Sequence, residues 1–358
     1  MEGTAIDIVV FAPLAPILGV LLFWFIKMLF IEGQKFLLEK IRKNHKAFCR
    51  FTNFLGVLFQ TVCHALGFTV TKSGISDFYI SVNYGRVAPK KEKKGIFEWI
   101  ANAFLFVGPF FIPPVMLLIS LFFLLENGFE AATSAHLIET QYTLGGQFTL
   151  FGTNLYNFSA SFLKFLCTKL DLFHPAHLGF FLLMILLGLG IRPSYLGEKK
   201  VNKVDLLYDL KNIWDLITHK PLYVALLFIA SYLFFYASLL LDQGYYVVLF
   251  SIFGWLSIIS IVSIFISYLI IALIYFTDKM QGFKKTVVFL IIPVSYIFSR
   301  ILFFYIKTDM ALGISLAIMV FSTMFVIYLF LRPKGDKLKT KKLIKWFKAK
   351  KTEEKQDE

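Results

Sequence analysis

Eight apolar stretches, most of them about 20 residues or longer, divide this chain, at about 8–31, 51–70, 97–125, 176–191, 222–241, 246–276, 287–306 and 310–331. A helix rises about 1.5 Å per residue and the hydrocarbon of a bilayer is about 30 Å thick, so these are the lengths that crossing helices need. Lipid also leaves the backbone little choice but helix, because each N–H and C=O must find its partner within the protein. Composition agrees: of 358 residues 58% are hydrophobic and 43 are Phe, more apolar surface than one water-soluble core encloses. The expected fold is an all-α polytopic membrane protein with about seven crossings, seven to eight by the count of stretches. The 176–191 stretch is the shortest and either begins earlier or tilts little, whereas 246–276 is long enough to tilt or protrude.

The net charge of +14 sits almost entirely between the apolar stretches. That placement reads as topology and as attraction to anionic lipid, not as a nucleic-acid surface. The basic cluster from Arg332 to Lys351 puts the C-terminus in the cytoplasm. Alternation then places Lys279, Lys284 and Lys285 inside, the Asp242-Gln243-Gly244 turn outside, the loop 193–220 inside, the loop 126–170 with Glu126, Glu130 and Glu139 outside, and 71–96 inside. The N-terminus lacks the basic start of a cleaved signal, so it is expected to stay as an anchor with Met1–Asp7 outside. The expected location is an integral membrane one, in the plasma membrane of a prokaryote. The chain divides on this reading into a membrane domain at 1–210, a four-helix region at 211–331 and a basic tail at 332–358. In the tail Lys341, Lys342, Lys345, Trp346 and Lys348 form the pattern of an amphipathic helix lying on anionic lipid. Cys49, Cys63 and Cys167 lack disulfide or zinc spacing and read as small apolar packers.

One stretch breaks the charge rule. Residues 51–70 are flanked by Lys35, Lys40, Arg42, Lys43, Lys46 and Arg50 on one side and by Lys72, Arg86, Lys90, Lys91, Lys93 and Lys94 on the other. Either 51–70 crosses and one cluster lies outside, or it dips in and returns; the charges favour the re-entrant reading. Backbone that turns at membrane depth must be shielded by protein or water, which makes this the place to look for function.

Within it His64 is ionisable and Gln60 lies four residues earlier on the same helical face. The plainer reading is a neutral His bonded to a neighbouring helix. The alternation over Ser76–Asn83 predicts a short strand closed by Gly85. His64-Ala65-Leu66, Thr71-Lys72-Ser73-Gly74, the strand 76–83, Gly85-Arg86-Val87, Asn102 and Gly108-Pro109 follow one another in an order that resembles the site-2 protease family of intramembrane zinc metalloproteases and its zinc-peptidase-like relatives. The resemblance covers about residues 51–210. It implies a zinc site on the helix that carries HExxH, but with His64 on the second His of that motif, Gln60 stands in the first and Thr61 replaces the Glu. Two His at i and i+4 hold the zinc in such a site and the Glu takes a proton from its water, so this chain reads as a degenerate member without catalysis. The candidate cavity is formed by Gln60, Thr61, His64 and Asn102.

A zinc site would need other ligands, and Asp171, His174 and His177 beside His64 are the candidates. The alternative is that Pro175 simply starts a helix with interfacial His residues before it. No cofactor is otherwise implied, since no nucleotide-binding or nucleophile-elbow pattern occurs. Asp205, Asp209, Lys211 and Asp215 read as the wet face of an interfacial helix. Lys27 reads as a snorkelling residue near a segment end, Arg300 as facing protein or a cavity, and Tyr245-Tyr246 as part of an interfacial belt. Three functions fit these observations: a non-catalytic binder or organiser of membrane proteins, a channel or transporter lined by 51–70, and a metal-dependent protease with a non-standard site. The lipid bilayer and another membrane protein are the partners they imply.

Overall fold

The computed structural model describes residues 6–124, 143–191, 206–241, 244–306 and 311–332. The tail residues Lys341, Lys342, Lys345, Trp346 and Lys348, the acidic residues of 126–139, Asp205 and the side chain of Asp209 lie outside the described residues.

The described residues form eleven α-helices and one β-hairpin: α1 Leu14–Ile41, α2 Lys46–Val70, β1 Ile75–Ile80, β2 Gly85–Pro89, α3 Ile96–Phe106, α4 Gly108–Leu124, α5 Leu144–Lys164, α6 Pro175–Gly190, α7 Leu206–Thr218, α8 Pro221–Leu240, α9 Tyr245–Asp278, α10 Phe283–Ile306 and α11 Ala311–Leu331. Single π-helical turns precede α1 at Asp7–Phe11 and follow α5 at Phe165–Lys169. Six helices, α1, α2 and α8 to α11, are long and apolar enough to cross a membrane, and α3 with α4 makes a seventh as one bent span. The chain is an all-α polytopic membrane protein with a small two-stranded sheet.

It divides into two compact units, residues 1–275 and 276–358. In the second, α10 and α11 pack on each other, and Lys284 near the start of α10 lies 5.6 Å from the Phe330 ring at the end of α11, so the pair is antiparallel. Arg300 is half-buried there.

The first unit is built around α1. Beside it runs α5, a helix within the stretch 126–170 that was expected to be an outside loop throughout. Leu144 N–H donates to the Asp7 carboxylate at 3.2 Å, Thr143 caps the helix by accepting from Gly146 N–H at 3.0 Å, and Gly19 of α1 lies against the Phe151 ring. The two helices therefore start at the same end of the bundle and run in parallel. Hydropathy hides α5 because Gln147, Thr149, Thr153, Asn154, Asn157, Ser159 and Ser161 dilute it. Its buried stripe of Phe151, Asn154, Leu155, Phe158 and Phe162 nevertheless has helical spacing. Phe158 stacks on Trp255 of α9 at 5.2 Å, the Trp255 indole N–H donates to the Asn154 carbonyl at 3.3 Å, and the Asn154 amide donates to Ser251 at 3.2 Å.

Between α6 and α9 the backbones touch. A Cβ on Gly188 would meet the Ser263 carbonyl and the Ser267 hydroxyl, which donates to the Ile185 carbonyl at 3.0 Å. Gln34 of α1 donates to the Gly188 carbonyl at 3.1 Å, so three helices meet at that glycine. Leu37, Leu38, Ile41, Cys49, Leu55, Leu189 and Ile271 close the core at the C-terminal end of α1.

Pro109, without an N–H for the Leu105 carbonyl, ends α3 and starts a 66° bend into α4. Within α4, Pro114 likewise leaves the Phe110 carbonyl without its helical donor. The Lys27 ammonium supplies one, at 2.7 Å, beneath the Phe111 ring at 4.2 Å. Lys27 is 0% exposed, so the expectation that it snorkels is wrong: a local need for a donor holds it inside.

Candidate functional site

Residues 51–70 do not turn back on themselves. They lie in α2, which is continuous over 25 residues, about 37 Å at 1.5 Å per residue. What returns is the chain after it. The Ser73 N–H bonds to the Phe68 carbonyl at 2.9 Å and the Lys72 N–H to that of Thr69 at 3.0 Å, a Schellman end with Lys72 in the left-handed region at φ 53°. Gly74, at φ 66°, completes the reversal.

The strand expected at 76–83 is the first half of a hairpin. β1 ends at Ile80, residues 81–84 turn, and Gly85 opens β2 where it was expected to close the strand. The register pairs Phe78 with Val87, Tyr79 with Arg86 and Ile80 with Gly85, with an irregularity between Ile75 and Asp77. Ser76 covers that irregularity by donating to the Ala88 and Pro89 carbonyls, each at 3.1 Å. Arg86 and Asp77 form an exposed ion pair at 3.3 Å, worth little by itself.

The hairpin lies back along α2. A Cβ on Gly85 would run into the Thr61 hydroxyl and meet Val57, and the Asn53 amide donates to the Val82 carbonyl at 2.5 Å. The tip thus reaches Asn53, about 27 Å back along the helix from Thr71. β1 is the more exposed strand, with Phe78 and Tyr79 each about half exposed.

Gln60 and His64 are half-buried on α2, and the His64 ring lies 4.4 Å from that of Phe68 on the next turn. Thr61 is 5% exposed, and its hydroxyl donates to the Val57 carbonyl at 2.6 Å under the Gly85 backbone. Asn102 lines a cavity of about 400 Å³ with Glu98, Trp99, Asn212, Asp215 and Lys220. His174 and His177 sit with ring centroids 4.6 Å apart. The Asp171 N–H donates to His177 Nδ1 at 3.2 Å, and the Asp171 carboxylate accepts from Phe173 N–H at 3.0 Å, so the three residues shape the turn into α6. Among the described residues no three His, Cys, Asp or Glu gather in a metal-holding group.

Of the residues that share Asn102's cavity, only Asp215 stood out in the sequence, as part of a wet helical face; the pairing of α3 with α7 across more than a hundred residues leaves no local signal.

No family model, no curated protein and no solved structure matches the chain.

Proposed function

We propose that the chain is a non-catalytic membrane protein, of zinc-metallopeptidase-like descent, that binds an extended segment of a membrane-protein partner along β1. The observation that carries this reading is the seat of Gly85 on Thr61 and Val57. A hydrolytic site would need a base and room for a metal-bound water beside position 61. Here that position holds a hydroxyl already bonded to its own helix and covered by strand backbone. The same arrangement holds β1 outward as a strand with, among the described residues, a single sheet neighbour. Its outer N–H and C=O groups are satisfied poorly by lipid and well by another extended chain, and Phe78 and Tyr79 add apolar grip.

A photoreactive residue in place of Tyr79, in the full-length protein in its native membrane, is expected to capture one defined membrane protein. Phe78→Pro, which interrupts the strand, is expected to abolish the capture. Undiminished capture by that variant would overturn the binding mode. Cleavage of a membrane substrate by protein carrying stoichiometric zinc would overturn the non-catalytic reading.

A further inference from the structure

A second site lies away from the hairpin, where α3 meets the junction of α7 and α8. The Trp99 indole N–H donates to the Leu216 carbonyl at 2.9 Å and its ring meets Tyr223 edge-on at 6.1 Å, fixing the helices to each other. Gly95, at φ 76°, lets α3 start against the Tyr223 hydroxyl, which would lie 3.2 Å from a Cβ there. The space left between them, about 400 Å³, is lined by Glu98, Asn102, Asn212, Asp215, His219 and Lys220, with Phe106 at one side. This is the size of a small-ligand pocket.

Two properties of the cavity identify a ligand class. The first is available polarity: among the described residues the side chains of half-buried Asn102, Asn212 and Asp215 and of exposed Glu98 and Lys220 make no hydrogen bond or ion pair within the protein, and all five line one cavity. Two carboxylates and one ammonium so placed fit a ligand that carries a positive group and a negative one. The second is location. Lys220 caps α8, an apolar helix of crossing length that begins at Pro221. Trp99 and Tyr223 mark the same level in the manner of an interfacial aromatic belt. α7 exposes Trp214 and Ile217, as a helix lying in the headgroup layer does.

We propose that this cavity binds the headgroup of an amino-phospholipid, its ammonium between Glu98 and Asp215 and its phosphate against Lys220, with the acyl chains leaving past Phe106. An anionic lipid without an amine would set its phosphate against two carboxylates for one lysine, which is the poorer match.

Native mass spectrometry of the full-length protein, delipidated and then exposed to dioleoyl phosphatidylethanolamine or to the same lipid N-acetylated, tests this directly. Wild-type protein is expected to retain the amine-bearing lipid about tenfold better, the size of one charge-assisted hydrogen bond. The paired variant Glu98→Gln with Asp215→Asn is expected to retain the two lipids equally, and Lys220→Met to lose both. Equal retention by wild-type protein overturns the proposal, and this comparison needs no variant to fold. So does wild-type preference in a paired variant that melts normally. Water-soluble phosphoethanolamine binding as tightly as the intact lipid would overturn the assignment to lipid.

Discussion

The ammonium of Lys27 is bonded to the Phe110 carbonyl, the oxygen that Pro114 leaves without a helical donor. A fully buried lysine and a proline in the middle of an apolar helix each look costly alone, and here each answers the other. The carbonyl would be an unmet acceptor in an apolar surrounding, and the ammonium would be an unmet donor. The rings of Phe110 and Phe111, 5.8 and 4.2 Å from Nζ, add cation–π attraction.

The pair predicts a coupling. Lys27→Met should destabilise the wild-type protein more than it destabilises Pro114→Ala, in which residue 114 supplies its own N–H to the Phe110 carbonyl. A double-mutant cycle by thermal melting in detergent is expected to give an interaction of about 1–2 kcal/mol. Additive effects would show that the lysine is held for another reason.

Glycines on tight and open faces should respond with opposite signs. Gly188→Ala presses on the Ser263 carbonyl, which is backbone and yields little, so a loss of about 1–3 kcal/mol is expected. Gly152→Ala in α5 meets nothing within 4 Å and should gain about 0.5–1 kcal/mol from helix propensity. Melting curves of the two variants check both.

At the hairpin seat, Gly85→Ala should be destabilising by about 1–3 kcal/mol because its Cβ meets the Thr61 hydroxyl. Adding Thr61→Ala is expected to recover part of that loss, whereas Thr61→Ser, which keeps the oxygen, should recover less. Equal recovery by both would mean that the hydroxyl is not what the new methyl strikes.

Metal removal should be silent. On the non-catalytic reading, EDTA or 1,10-phenanthroline leaves the melting temperature unchanged, and His64→Ala and His177→Ala bind no less zinc than the parent by elemental analysis. A melting temperature that falls with chelator and recovers with zinc would reinstate the metal site.

Cysteine accessibility reports whether α2 crosses. Its first half packs against the end of α1 through Leu55, Leu37 and Leu38, and Lys90 at the base of the hairpin bonds back to Gly74 just beyond its far end at 3.1 Å. With Cys49, Cys63 and Cys167 replaced, single cysteines at 45 and 90 are expected to label from opposite faces of the membrane. Labelling from one face would restore the re-entrant reading that the basic loops favoured.

The apolar stretches were readable because length and hydropathy are local properties. Each of the eight corresponds to a helix or, at 97–125, to a bent pair whose break falls at Gly108-Pro109. α5 escaped the same reading because its polar residues lower its hydropathy while their placement depends on the rest of the chain: Asn154 bonds to Ser251, 97 positions later, and Gln147 is buried. Its cue was the spacing of Phe151, Leu155, Phe158 and Phe162, a periodicity that mean hydropathy averages away. Lys27 was misjudged for a related reason: the acceptor that holds it is created by a proline 87 positions later. At the candidate site, the apolar stretch 51–70 and a strand after it were legible from hydropathy and from the alternation at 76–83, but the flanking charges pointed to a re-entrant segment where α2 is continuous. The seat of Gly85 on Thr61, and the cavity that Asn102 shares with Asn212 and Asp215, depend on how elements pack and have no local sequence signature.

Gly85 and Gly188 carry one more consequence, for the recognition of relatives of this chain. Lipid-facing Phe, Leu and Ile exchange freely, so overall identity between descendants decays quickly. At these two positions backbone or a bonded hydroxyl fills the space where a side chain would begin, and at Gly67 the backbone of Ala101 does the same. Glycine at those three places, with Gly-Pro at the α3–α4 break and a lysine in α1 bonded to the proline-freed carbonyl of α4, is the part of the sequence that drift is least able to erase. A search keyed to those spacings would detect kinship after the apolar majority of the chain has become unrecognisable.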